Sequence, residues 1–517
     1  LLTWLTFTIL WAQFKERADE KLLGGASIAV GAMFLLHPLH TEAVSWAAAM
    51  KDQLSTFFYL LAFLTYLQFR SSAENKPYYY SLLFFFLGLM SKVMVLTLPA
   101  VFLLLEDLRG RSIFGYKELW KRLLPYGALS GFFLVVALFG KSDIVARTSL
   151  FQTVLMACKS TIYYFERLVW PSSFSVIYPQ AGQISLSAPE FQLYVSVMIL
   201  IGILVLVSRR WTKFLTFGFG AFLITVLPTY TNFSKGGDIF FASDRYAYLP
   251  SLAMFVMVGA FVAWLLTRST FQSTFVRHGS IVLGILIVCG LGWKAHAQSL
   301  TWENTETLFK HVIEIFPEEG AVAHNNLGNV YRRQNKLPEA IEEFKKGLAL
   351  RENARIRSNL AATYVNIGEF DLALESFEKA KAFDPVNELP DFGLGILYTK
   401  LGKTQQALDA YAESHKKNPR YIAAHLNRGS LYADMGRYEE AEKDFRDAIE
   451  IEPLFSQAHF NLGVILQKQN KWEEAASAYE GAVEAEPRYI EARLSLGIAY
   501  AKLAKLREAK SQFLEVL

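Results

Sequence analysis

The densest set of chemically capable side chains is the string His37-Pro-Leu-His40-Thr-Glu42-Ala-Val-Ser-Trp46, followed at once by Lys51-Asp52. Further polar groups stand among apolar residues: Lys92, after Ser91 in the middle of the run from Tyr78 to Leu105, and Asp244-Arg245-Tyr246, just ahead of Tyr248-Leu-Pro250. Arginine grips a phosphate through two parallel hydrogen bonds, and lysine does so as a point charge. A carboxylate such as Glu42 or Asp52 can take the proton of an attacking hydroxyl. His40 and Tyr246 could orient a sugar or a phosphate.

Two histidines and a glutamate also make a partial zinc set. No third His or Cys follows at a motif spacing, and Pro38 keeps the two histidines from sharing a helix face, so a metal is disfavoured and no cofactor is implied. Two readings stay open for His37, His40 and Glu42: helix capping with hydrogen bonds at an interface, or a place in an active site. A cation between apolar half-helices is costly unless it faces a cavity or an anion. For Lys92 that anion is either a ligand phosphate or one of Asp52, Glu106 and Asp107. Arg245 likewise either meets a phosphate or pairs with Asp244 as an interfacial anchor.

The elements that carry these residues are apolar runs at about Leu1 to Phe14, Leu22 to Leu36, Leu54 to Phe69, Tyr78 to Leu105, Leu123 to Gly140, Phe191 to Ser208, Phe214 to Leu227, Ser251 to Thr267 and Ser280 to Trp293. In hydrocarbon only helices or closed barrels satisfy the backbone, so these runs predict a polytopic helix bundle. Tyr78 to Leu105 would make a helix of about 42 Å against a hydrocarbon core of about 30 Å. It is therefore expected to break into two short helices at Lys92. With that break, Lys15, Arg17 and Lys21, then Arg70 and Lys76, then Arg109, Arg111, Lys117, Lys121 and Arg122, then Arg209, Arg210 and Lys213, then Arg268 and Arg277 all fall on one side, the cytoplasm by the positive-inside rule. The loops His37 to Lys51, Lys141 to Glu190 and Thr229 to Pro250 then face the exterior, as does everything after the last span. The amphipathic stretch Leu150 to Trp170 is expected to lie in the outer interface.

Charge divides the chain at about Leu300. The first 300 residues hold 24 Lys and Arg against 14 Asp and Glu, and the rest hold 28 against 34, so a basic membrane half precedes an acidic, soluble one. Nucleic acid is a poor partner for either. Two cysteines, far apart, build no disulfide framework. The chain begins at Leu1 inside an apolar helix and ends within a repeat, and so reads as a fragment.

The acidic half repeats. Gly328, Ala361, Gly395, Gly429, Gly463 and Gly497 follow at intervals of 33, 34, 34, 34 and 34, with Ala340, Ala373, Ala407, Ala441, Ala475 and Ala509 twelve residues later and Phe344, Phe377, Tyr411, Phe445, Tyr479 and Phe513 sixteen later. A period of 34 is that of tetratricopeptide repeats, pairs of antiparallel helices that stack into a superhelix. The expected organisation is a transmembrane domain over 1–296, a linker and capping helix over 297–320, and a solenoid over 321–517. Two positions before the small residue stand Asn326, Asn359, Asn427 and Asn461, interrupted by Gly393 and Ser495. On the concave face these amides could hold an extended acceptor polypeptide, since each both donates and accepts; alternatively they bond to the neighbouring helix.

The combination His37-Pro-Leu-His40-Thr-Glu42-Ala-Val, Lys51-Asp52, Ser91-Lys92, Asp244-Arg245-Tyr246-x-Tyr248-Leu-Pro250 and Trp302-Glu303, followed by the repeats, resembles the transmembrane and tetratricopeptide-repeat-containing O-mannosyltransferases and their bacterial relatives. The resemblance implies an all-α chain with a GT-C-like transmembrane helix bundle and a repeat solenoid. It implies an integral membrane enzyme that moves a sugar, mannose by this likeness, from a polyprenyl-phosphate donor to an acceptor protein outside the cytoplasm. Lys92 and Arg245 would then steady the leaving phosphate, with His37, His40, Lys51, Asp244 and Tyr246 around the donor. Glu42 and Asp52 would be secondary acids, because the main acid of such enzymes is expected in a loop upstream of Leu1. The rival is a non-catalytic, membrane-anchored scaffold for envelope proteins. A transporter would need broken helices in two related halves, and only one interrupted segment is visible.

Overall fold

Helices follow the apolar runs, and each break falls where a proline, a glycine or a charge interrupts one. The computed structural model describes residues 1–516 apart from Arg17, Asp19, Ala73, 111–116, 140–148, Ala181, 236–237 and 269–273. Of the basic residues expected on the inner side, Arg17, Arg111 and the side chain of Arg277 lie outside the described residues, as does the start of the loop Lys141 to Glu190. The chain divides into two units, Leu1–Gly320 and Ala321–Leu517.

The first unit is a bundle of helices: α1 (Leu2–Phe14), α2 (Glu20–Leu36), the short α3 (Thr41–Ser45), α4 (Met50–Ser71), α5 (Lys76–Ser91), α6 (Leu98–Leu108), α7 (Lys117–Phe139), α8 (Leu150–Val169), α9 (Pro189–Ser208), α10 (Phe214–Val226), α11 (Tyr248–Leu266), α12 (Thr274–Leu300) and α13 (Thr305–Ile315). Its only sheet among the described residues is small and antiparallel, with β3 (Asp238–Ala242) between β1 (Tyr178–Pro179) and β2 (Ser234–Lys235). One apolar core joins α1, α2, α4, α5, α6, α7, α10 and α11 around Phe63, Phe85, Phe102 and Tyr126. A second lies under the sheet, around Tyr164, Tyr178, Phe191 and Phe222. Among the described residues four helices are long and apolar enough to cross a membrane, and a fifth span results if Glu20–Leu36 and Pro38–Ser45, bent by 51°, count as one.

The run from Tyr78 to Leu105 does break at Lys92. α5 ends at Ser91, Lys92 is extended, and a 3-10 turn over Val93–Thr97 leads into α6. The chain thereby doubles back, so that the end of α6 returns to the end of α4. Arg70 donates to both oxygens of Glu106 at 2.7 and 3.1 Å. Asp107 accepts from Arg209 and Lys213, which follow α9. The loops after α4, α6 and α9 therefore share one end of the bundle, and two of the three partners proposed for Lys92 are committed there.

The second unit consists of six helix pairs: α14 (Ala321–Arg333) with α15 (Leu337–Leu350), α16 (Ala354–Ile367) with α17 (Phe370–Phe383), α18 (Leu389–Lys400) with α19 (Thr404–Lys417), α20 (Ile422–Asp434) with α21 (Tyr438–Ile451), α22 (Ser456–Lys468) with α23 (Trp472–Ala485), and α24 (Ile490–Lys502) with α25 (Leu506–Leu514). Packing explains the sixteen-residue spacing in the sequence. A Cβ at Gly328, Gly463 or Gly497 would stand 2.7, 2.6 or 2.5 Å from the ring of Phe344, Tyr479 or Phe513, so the aromatic of the second helix lies flat on the bare backbone of the first. At Gly393 the ring of Phe377, from the preceding repeat, takes the space of a side chain. That is why the asparagine row is interrupted there.

Candidate functional site

Proline and histidine build the first wall of the site. Pro38 opens a 3-10 turn over Pro38–His40, whose first N–H groups lack helical partners, and His37 Nδ1 accepts from the backbone N–H of Leu39 at 3.2 Å. His37 Nε2 donates to the Leu168 carbonyl at 3.2 Å. His40 Nδ1 donates to the Phe34 carbonyl at 2.7 Å, and its Nε2 meets Ser251 Oγ at 2.9 Å. Both rings are buried and both spend all their nitrogens inside the fold. They tie α2, α8 and α11 together.

The turn delivers Glu42, on α3, into the bundle, where it is 3% exposed. Its carboxylate accepts from Ser243 Oγ at 3.0 and 3.2 Å and from the backbone N–H of Arg245 at 3.0 Å. Residues 201 and 203 positions later in the chain thus hold it. The Arg245 guanidinium lies close as well, with Nε 3.7 Å from Glu42 Oε1, too far for a hydrogen bond. Arg245 Nε is buried and has no hydrogen-bond partner. The guanidinium sits 4.4 Å over the ring of Trp46 and 5.2 Å from that of Tyr246, both within cation–π range.

Asp52 stands in the first turn of α4, where free backbone N–H groups favour a carboxylate. It pairs through Oδ1 with Lys92 Nζ, while Oδ2 is buried without a partner. Lys92 in turn lies 5.5 Å from the centre of the Tyr246 ring. Lys51 is exposed beside Asp52, at the start of the same helix. Lys51, Lys92 and Arg245 therefore gather around Glu42 and Asp52, with Tyr246 between two of the cations.

Asp244 is placed differently from Arg245. The 3-10 turn over Asp244–Ala247 directs it the other way, where it accepts from Tyr163 at 3.0 Å and from Tyr178 at 2.8 Å on each oxygen. Tyr163 and Tyr178 went unnoticed in the sequence because nothing marks them out from the other 22 tyrosines of the chain. Trp46 could have been noticed, since it closes the His37 string. Beyond α12, Trp302 stacks on Trp46 at 6.4 Å, so α12 ends at the same end of the bundle as the cations.

The asparagine row lies half-buried on the first helix of its repeats. Asn359 Nδ2 donates to Asn325 Oδ1 in the preceding repeat at 2.8 Å, Asn427 Nδ2 donates to the Ala423 carbonyl at 2.8 Å, and Asn461 Oδ1 accepts from Gln457 at 2.9 Å. Asn326 Oδ1 lies 3.5 Å from Asn325 Nδ2. Each amide thus uses one of its ends within the solenoid.

Comparison with known proteins places both units. Tetratricopeptide repeat families match residues 321–353 and 354–387, and overlapping stretches over 392–454, 426–490 and 460–516. Protein O-mannosyl-transferase TMTC4 of Mus musculus is 26% identical over 372 residues, 62% of this chain and 49% of that protein. Protein O-mannosyl-transferase TMTC3 of Homo sapiens is 21% identical over 415 residues, 70% of this chain and 43% of that one. The second unit runs from Ala321 to Leu517, 197 of the 517 residues, so a match to 62% of the chain must extend into the bundle. The second unit is made of tetratricopeptide repeats, and the chain is similar to TMTC protein O-mannosyl-transferases over both units. The chain spans about half the length of these curated relatives. Among solved structures, a thermophilic TPR protein of Thermus thermophilus is 23% identical with a TM-score of 0.31, covering 35% of this chain and 99% of that one.

Proposed function

We propose that the bundle transfers a sugar, mannose by its relatives' names, from a polyprenyl-phosphate carrier to a polypeptide hydroxyl, and that the solenoid binds the acceptor polypeptide. The observation that carries this reading is Arg245: a half-buried side chain whose Nε is buried without a hydrogen bond, with Lys92 nearby and aromatic rings on its flanks. An arginine inside a fold ordinarily has its donors satisfied. One left open, beside a second cation, suits a phosphate better than the single carboxylate it already neighbours.

In the transfer, the acceptor oxygen attacks the anomeric carbon as the bond from that carbon to the phosphate oxygen breaks, and the electron pair leaves with the phosphate. Arg245 and Lys92 offset the charge that grows there, with Lys51 at the mouth; fixed charges in a water-poor site do this without reorganising. The acceptor proton goes to a carboxylate, and Glu42 and Asp52 are the carboxylates of this chain at that place. His37, His40 and Asp244 act through the frame. The bundle works as an integral, multi-pass membrane domain with the cation site on the extracytoplasmic side.

The test uses the full-length protein in lipid, with radiolabelled polyprenyl-phosphate mannose and a panel of acceptor polypeptides. Label should appear on Ser or Thr with the intact protein and be lost on Arg245→Ala. Absence of transfer from the intact, folded protein, together with retained acceptor binding, would leave the membrane-anchored scaffold as the function.

A further inference from the structure

One cluster in the solenoid does not follow from the repeat pattern. His425, on α20, is 1% exposed, and its Nε2 donates to the Pro419 carbonyl at 3.0 Å. That bond puts a proton on Nε2, so Nδ1 is the nitrogen that a metal ion would take when the ring is neutral. Nδ1 has no hydrogen-bond partner, and it faces Asp444 Oδ1 of α21 at 3.4 Å. Asp447, on the same helix, adds a further carboxylate, and one ligand atom from each of the three residues lies within 4.8 Å of the others. From α19, His415 meets His425 edge-on with ring centres 4.6 Å apart, and its Nδ1 is likewise buried and without a partner.

We infer that His425, Asp444 and Asp447 form a zinc-binding site. Geometry and chemistry agree on this ion. Nitrogen and oxygen ligands about 2.0–2.1 Å from a tetrahedral zinc lie about 3.3 Å from one another, close to the 3.4 Å between His425 Nδ1 and Asp444 Oδ1. The imidazole nitrogen of His425 favours zinc over calcium or magnesium, which take oxygen. Arg428 donates to both oxygens of Asp444, at 2.8 and 2.6 Å, and so fixes the orientation of that carboxylate. Its positive charge opposes the ion, which sets the affinity below that of a site with no cation beside it. Because His425 stands on α20 and Asp444 and Asp447 on α21, bound zinc would pin the two helices of the fourth pair together.

The experiment strips the full-length protein with a chelator, equilibrates it with zinc sulfate, removes free ion and measures zinc by elemental mass spectrometry. About one zinc per chain should remain, as expected of a preformed site, and it should be lost in His425→Gln and in Asp447→Asn. Asp447 is half-buried and makes no bond to Arg428, so its variant keeps the test valid if His425→Gln does not fold. Cobalt in place of zinc should give the strong visible absorption of a tetrahedral ion. Wild-type protein that retains no zinc, or variants that retain as much as wild type, would overturn the site and leave a buried His425–Asp444 contact only.

Discussion

In the solenoid, Gly463 meets Tyr479 sixteen residues further on, and the same contact recurs from repeat to repeat. In the bundle, Glu42 is held by residues more than 200 positions away, and Asp52 finds Lys92 across 40. The solenoid places its polar groups by period, and each repeat is stable only against its neighbours. The bundle places its groups by interrupting helices: at Pro38, at Lys92 and at the turn before α11, backbone that leaves the helix directs one charged side chain inward. A repeat tolerates change in one unit because the others keep the pattern. A site assembled from three separate breaks has no such redundancy, so the bundle should be the more fragile region.

Lys92→Ala tests that contrast most severely. It leaves Asp52 buried without its cation, at a cost of about 3–5 kcal/mol, and sugar transfer should fall about 10²- to 10³-fold, as when one charge-stabilising group is removed. Folding and chemistry separate in the pair Lys92→Met with Asp52→Asn, which keeps the volume and removes both charges. Thermal unfolding of this double variant should return close to wild type while transfer stays lost. If transfer returns as well, the pair serves structure alone.

Gly463→Val tests the solenoid side. Its Cβ would meet the Tyr479 ring at 2.6 Å, and overpacking of this kind costs about 1–3 kcal/mol. Because stability along a repeat array is close to a sum of local and neighbour terms, hydrogen exchange should show the loosening in α22, α23 and the adjoining helices, with α14 to α17 unchanged. Uniform loosening of all six pairs would contradict the quasi-linear reading of this unit.

The same contrast decides what could be read from the residues alone. The repeat spacing was legible because one packing contact, ring on glycine, recurs and leaves a period in the chain. The break at Lys92 was legible because a charge inside a run too long for one span allows few other outcomes. By contrast, the tyrosines that hold Asp244 were invisible, since contacts across 66 and 81 residues carry no local signal. The histidines were ambiguous for another reason. The same imidazole serves as ligand, catalyst or tie, and its partners, here two backbone carbonyls, a backbone N–H and a serine, leave no mark in the sequence. The same held for Lys92, whose partner among three acids became clear once Arg70, Arg209 and Lys213 were seen to hold the other two.

Tyr178→Phe should have a smaller effect in the bundle. It removes the hydroxyl that reaches both oxygens of Asp244 and leaves Tyr163 as the remaining donor, which costs about 1–3 kcal/mol for a buried acceptor left under-satisfied. Tyr178 bonds to Asp244, at the head of the turn that carries Arg245, so its effect on transfer should run through that turn. A rise in the KM for the lipid donor with the maximal rate nearly unchanged is the expected pattern. An unchanged KM would show that the turn holds its shape without this bond.

The smallest effect is expected in the asparagine row, for the reason that makes the solenoid robust. Asn427 and Asn461 each use one end of the amide within their own helix, through Ala423 and Gln457; in the proposed function the other end meets an acceptor backbone. A neutral hydrogen bond of this kind contributes about 0.5–1.5 kcal/mol net, so Asn427→Ala and Asn461→Ala should each weaken acceptor binding several-fold, and together by the product of the two. Leu462 and Gly463 separate Asn461 from the packing of the helix pair only partly, so each single variant also needs its melting curve. A drop in affinity without a shift in melting assigns the row to the acceptor; the reverse assigns it to the stack, where Asn359 already reaches across to Asn325.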